Sequence, residues 1–132
     1  LEIGTGSGYQ TTILSQLVDE VCTVERIDPL LRKAKDRFRK LGLNNITAEL
    51  SDGSFGWDKH APYDGIITTA APQAIPEGLL RQMAPDGILV IPVGNGQSQD
   101  LRVLKRVGDS SEFDEEIVEK VMFVPLLGGL SR

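Results

Sequence analysis

Little in this sequence is reactive in the usual ways. Its 132 residues hold one cysteine, Cys22, and one histidine, His60. A single thiol excludes an internal disulfide. Its neighbours in VCTVE read as strand, so Cys22 is expected to be a buried structural thiol in a reducing compartment. His60 has no Cys or His partner at ligand spacing, and no metal site is expected. No apolar run approaches the ~20 residues that span a bilayer, and no charged-then-apolar leader is present, so no membrane partner is expected. Lysine and arginine number 14 against 19 acids, a net charge of −5. Without a basic stripe to offset that balance, nucleic acid is not an expected partner. A cytoplasmic monomer is the expectation.

What is present suits one domain. The length allows one real core and not two, and 40% hydrophobic with 25% charged residues is ordinary globular composition. Leu1 already sits inside an expected strand, so residues 1–132 are read as a single domain cut from something longer, with any targeting signal outside it. Periodicity then alternates. LEI ends a strand, and TTILSQLV places Ile13, Leu14, Leu17 and Val18 on one helical face. VCTVE is a strand, and Asp28-Pro29 opens a helix with Asp as N-cap and Pro at N1. That helix stops at Gly42, a C′ glycine. ITAEL, YDGIITTA and GILVIPVG are further strands, with PEGLLRQM a short helix and Pro85-Asp86-Gly87 a turn. NGQSQ is a polar loop, DLRVLKRVG a half-exposed strand, GDSSEFDEE a tight connection and IVEKVMFVPL a last strand. The fold class expected is α/β: a Rossmann-like, doubly wound, mostly parallel sheet with helices on both faces and a C-terminal antiparallel strand pair.

The opening stretch LEIGTGSGYQ carries the chemistry. A strand ending in a glycine turn that feeds a helix lets main chain approach a ligand without Cβ interference. The spacing is G-x-G-x-G at Gly4, Gly6 and Gly8, and no Gly-Lys-Ser/Thr follows, which excludes a P-loop. Glu2 precedes the turn, where it would repel a diphosphate and attract an ammonium or sulfonium. Glu25 ends the second strand about twenty residues on, where a carboxylate can accept both ribose hydroxyls. Asp52 ends the third strand and can accept from an exocyclic amine. A ligand with ribose, adenine and positive charge but no phosphate is implied, and S-adenosyl-L-methionine meets those requirements. A solvated strand-end charge is the competing reading of Glu2 alone.

The whole chain resembles the class I methyltransferases and, more closely, the protein-L-isoaspartate O-methyltransferase family. The carrying stretches are LEIGTGSGYQ, VCTVERI, LSDGSFGW, the run from APYDGIITTAA to IPVG, and FVPLLGG. The resemblance implies that Gly4, Thr5, Gly6 and Gly8 line the methionine part of the cofactor, that Glu25 holds the ribose, and that Asp52 and Gly53 flank the adenine. Thr69 and Ala70 would end the fourth strand beside it, and Pro92, Val93 and Gly94 would form a loop facing the substrate. His60 falls at a variable position and is expected on the surface. The family carries a hydroxyl-bearing helical segment ahead of the glycine turn. No catalytic side chain is identifiable within these residues and one is expected in that segment. The tail LLGGLSR departs from the family pattern.

The implied reaction moves a methyl group to the α-carboxylate of L-isoaspartyl residues in damaged proteins, which would be the partners. A carboxylate is ionised at neutral pH, so that acceptor needs no general base. Three alternatives stay open: a class I methyltransferase acting on a small molecule or RNA, a nicotinamide-dependent oxidoreductase, and a non-catalytic remnant.

Overall fold

Alternating strand and helix signals become a single sheet because each crossover returns the chain to a parallel neighbour. The computed structural model describes every residue from Leu1 to Arg132. In chain order the elements are β1 (Glu2–Ile3), α1 (Tyr9–Leu17), β2 (Val21–Glu25), α2 (Asp28–Lys40), β3 (Ile46–Leu50), β4 (Tyr63–Thr68), α3 (Glu77–Arg81), β5 (Met83–Asn95), β6 (Ser98–Arg106) and β7 (Phe113–Val121). Short 3-10 turns at Gly53–Phe55 and Asp58–His60 lie between β3 and β4. The seven strands run in the order β3-β2-β1-β4-β5-β6-β7. β3 to β5 pair in parallel, and β6 and β7 add on antiparallel. Right-handed crossovers put α1 and α2 on one face and α3 with the 3-10 turns on the other. The expected α/β architecture is what the chain adopts. No helix is long and apolar enough to cross a membrane.

The core lies under α3. Ile3, Val24, Ile66, Leu79, Met83, Leu89 and Ile91 are buried together there with Tyr63, Val93 and Leu104. On the opposite face, Leu31, Ala34 and Phe38 of α2 are buried at helical spacing. α2 ends as the sequence indicates. The Leu43 amide donates to Phe38 O and the Gly42 amide to Arg39 O, the bond pair of a Schellman motif. Its start differs from expectation. Ile27 is the cap residue, and Asp28 is the first helical residue, its carboxylate 2.9 Å from Arg32. The reason is that Ile27 O already accepts the Leu31 amide at 3.1 Å, which starts the helix one residue earlier, while Ser131 O takes the Asp28 amide at 2.7 Å.

α1 packs differently from its pattern. Its buried residues are Thr11 and Ser15, while Ile13, Leu17 and Val18 are exposed. The sheet explains this, because Glu2 and Thr23, directly paired on β1 and β2, offer α1 a polar surface. The apolar stripe then borders a groove of about 700 Å³, shared by Leu14, Leu17 and Val18 with Leu1, Ile67 and Val90. Cys22 lines the same groove half-buried rather than buried, and desolvation pushes its thiol pKa up, which disfavours a reactive thiolate.

Two boundaries also move. Pro85-Asp86-Gly87 is an irregularity inside β5 rather than a turn before it, since pairing skips from Tyr63↔Met83 to Gly65↔Ile88. The acids of FDEE belong to β7, where Glu115 lies 2.8 Å from Arg102. Charged residues suit an edge strand.

Candidate functional site

The strand order reverses between the parallel neighbours β1 and β4, the place where open α/β sheets bind ligands at the strand carboxyl ends. A cavity of about 370 Å³ opens there. Its floor is the glycine turn. Gly4 has φ 97, and a Cβ on it would sit 2.2 Å from Thr69 Oγ1. Gly8 has φ 86 and leaves no room before the Phe38 ring, 2.7 Å from where a Cβ would be. Both positions require glycine, the first for β4 to close beside the turn and the second for α1 to close on α2.

Fixed acceptors hold the turn. Val24 O accepts the amides of Gly4 and Thr5 at 2.9 and 3.2 Å. Glu25, 7% exposed, accepts the Gly6 amide at 2.8 Å on one oxygen and the Ile27 amide at 3.0 Å on the other. The Thr69 hydroxyl donates to Ile3 O and Gly4 O, each at 3.0 Å. With no base of its own, the site offers shaped main chain and one buried carboxylate whose remaining lone pairs can accept from a ligand.

The roof comes from the far end of the chain. Val124, Pro125, Leu126 and Leu127 cover the cavity. The strap is pinned to the β4 side by Ala71, whose amide donates to Val124 O and whose carbonyl accepts from Leu126. Beyond the cavity, Ser131 exchanges main-chain bonds with Arg26 and Asp28. Between these anchors the Gly129 amide donates to Asp52 Oδ2 at 2.7 Å, and Arg26 Nε donates to Gly129 O at 3.1 Å. Partial burial would raise the Asp52 pKa. Hydrogen bonds from the Ser54 hydroxyl and from the Gly129 and Ser54 amides outweigh that, with help from the Arg26 charge, and hold it below its ordinary value.

Of the residues expected from the sequence, Gly4, Gly6, Glu25, Gly53, Thr69 and Ala70 line the cavity together. Glu2, Thr5, Gly8 and Asp52 do not. Glu2 is fully buried behind the turn, Gly8 is spent on helix packing, and Asp52 serves the strap. Pro92, Val93 and Gly94 are not in a loop. They lie inside β5, paired with Leu101, Asp100 and Gln99 of β6, because the antiparallel hairpin extends the strand past them. His60 is exposed, its ring edge-on to Trp57. Sequence reasoning missed Ile27, Leu30, Ser51 and the strap. The available signal was VPLL, an apolar run containing proline directly after the last strand.

Comparison with known proteins bears on the fold and the family. A curated protein-L-isoaspartate O-methyltransferase of Hahella chejuensis is 57% identical over all 132 residues, which span 62% of that protein's length. A solved protein-L-isoaspartate O-methyltransferase superposes with a TM-score of 0.88 at 26% identity, covering 98% of this chain and 42% of that one. The fold also matches a Plasmodium falciparum structure described as a protein-L-isoaspartate O-methyltransferase in complex with S-adenosyl-L-homocysteine. There the TM-score is 0.80 at 20% identity, over 96% of this chain and 64% of that one. A sequence model of one family matches residues 1–131. The chain belongs to the protein-L-isoaspartate(D-aspartate) O-methyltransferase family.

Proposed function

We propose that the protein carrying this chain methylates the α-carboxylate of L-isoaspartyl residues in damaged proteins, using S-adenosyl-L-methionine, and that residues 1–132 are its single cofactor-holding domain. The observation that carries the reading is the cavity at the sheet's reversal point, bounded by bare glycine main chain and the buried Glu25 carboxylate. A volume of about 370 Å³ falls within the ~300–1,000 Å³ of small-molecule sites. The buried Glu25 carboxylate suits a ribose, whose hydroxyls it can accept.

When bound, the cofactor supplies an electrophilic methyl group on a sulfonium. Everything else is positioning by this chain. Gly4 and Gly6 would present main chain to the amino-acid end. Glu25 would accept the sugar hydroxyls with its geometry already set by the Gly6 and Ile27 amides. Gly53 and Ser51 would border the base beneath the strap. The acceptor carboxylate is ionised near neutrality, so in-line alignment suffices, and such alignment is worth up to ~7–11 kcal/mol. We extend the reading to a cytoplasmic protein.

The test has two parts. Calorimetry should give saturable binding of S-adenosyl-L-homocysteine and none of NAD. Methyl-ester formation should occur on an isoaspartyl peptide and not on its aspartyl twin. Equal labelling of the two peptides, or none of either, rejects the substrate. NAD binding rejects the cofactor.

A further inference from the structure

Behind the glycine turn, on the side away from the cavity, lies a buried carboxylate that the proposed mechanism leaves unused. Glu2 is 0% exposed. Its Oε1 accepts the Thr11 hydroxyl at 2.5 Å and the Thr23 hydroxyl at 2.6 Å, and its Oε2 accepts Gln10 Nε2 at 2.9 Å. The proton of Thr23 is committed to Glu2, so the Thr5···Thr23 contact of 2.6 Å runs with Thr5 as donor. The result is a directed chain, Thr5 to Thr23 to Glu2, with α1 fastened to the same carboxylate through Gln10 and Thr11. No cation pairs with Glu2 in the chain's ion pairs.

Burying an acid costs free energy unless hydrogen bonds replace its water. Here three donors do so, and each comes from a different position whose placement matters for the turn. Thr5 is the residue between Gly4 and Gly6, both of which line the cavity. Its side chain points into the network, while its amide and that of Gly4 are held by Val24 O. The same Gly6 amide is held from the cavity side by Glu25. The turn is therefore gripped between two carboxylates, one on each side.

We propose that Glu2 is the positioning residue of the glycine turn: acting through Thr23 and Thr5, it sets the geometry in which Gly4 and Gly6 meet the ligand, without touching that ligand. This rests on the reading of the cavity as an adenosyl site. It replaces the electrostatic role the sequence suggested for Glu2 with a mechanical one.

The experiment uses conservative cuts in the chain. Thr23→Val and Thr5→Val keep shape and remove one hydroxyl each. Dissociation constants for S-adenosyl-L-homocysteine are measured by calorimetry, and exchange of the Gly6 amide by NMR without ligand. Each variant should weaken binding about five- to tenfold, the weight of one hydrogen bond, and speed Gly6 exchange. The double variant should be no worse than the weaker single, because both cut one path. Glu2→Gln should retain most of the affinity, since its oxygen still accepts both hydroxyls and the Gln10 amide can turn to meet its nitrogen. Ile66→Val, a core change on the opposite face, should lower stability and leave both readouts unmoved. Wild-type binding with unchanged affinity and Gly6 exchange in the two threonine variants overturns the positioning role alone. Failure of the wild type to bind overturns the cavity reading and this inference with it.

Discussion

Replacing Gly4 with alanine tests whether β4 closes beside the turn as tightly as the structure shows. Two costs can be worked out separately. An L-residue at φ 97 pays about 1–2 kcal/mol in backbone strain. The new methyl would lie 2.2 Å from Thr69 Oγ1, so that hydroxyl must leave its bonds to Ile3 O and Gly4 O. That one shared proton is worth about 1 kcal/mol, giving about 2–3 kcal/mol in all. Thr69→Ala alone should cost the hydrogen bond only, about 1 kcal/mol. In the double variant the hydroxyl is lost once, not twice. Its destabilisation should fall short of the sum by about the hydrogen-bond share, roughly 1 kcal/mol. Urea titrations of the four proteins measure this directly, with the denaturant slope unchanged if only stability moves. Additivity within about 0.5 kcal/mol would refute the contact between these residues and the argument built on it.

Two further predictions use the same site. Gly6 has φ 55 and nothing within 4 Å of an added Cβ, so Gly6→Ala should cost only about 1 kcal/mol of stability while its methyl enters the cavity. Calorimetry should show S-adenosyl-L-homocysteine affinity falling at least tenfold, and unchanged affinity would remove Gly6 from the ligand surface. The Asp52 carboxyl has a lowered pKa in the folded chain, so the unfolded chain binds its proton first as pH falls. Its contribution is whole above the unfolded value of about 3.9 and disappears as pH drops through the folded one. Amide exchange at Gly129 should quicken across that acid window relative to core amides, and an Asp52→Asn variant should show no such step.

Much of the architecture was legible because each signal was local. The G-x-G-x-G turn, the Gly42 stop and the first four strands depend on neighbours in sequence and appear where expected, whereas β5 and β7 shift their bounds. What escaped depends on distant partners. The apolar stripe Ile13, Leu14, Leu17 and Val18 reads as a core face, yet Glu2 and Thr23 present polar atoms to α1, so Thr11 and Ser15 turn inward instead. Asp28 reads as a cap, yet Ile27 O takes the first helical bond and the Asp28 amide is met by Ser131, over a hundred positions away. Of the glycines and carboxylates at strand ends, Gly4, Gly6, Gly53 and Glu25 border one cavity, while Glu2, Gly8 and Asp52 do not. Which of them face it was not readable, because one residue of register decides whether Glu2 looks toward ligand or toward helix.

The acids of β7 carry a consequence for crowding. A sheet's last strand exposes unpaired main-chain groups that invite a copy to add on. Here Asp114, Glu115, Glu116 and Glu119 stud that margin, answered within it only by Lys120. Two identical molecules approaching margin to margin would set negative against negative, and dilute salt would strengthen that refusal. The boundary of the sheet thus discourages polymerisation by self-repulsion, at no expense to the ligand cavity on the far side of β4.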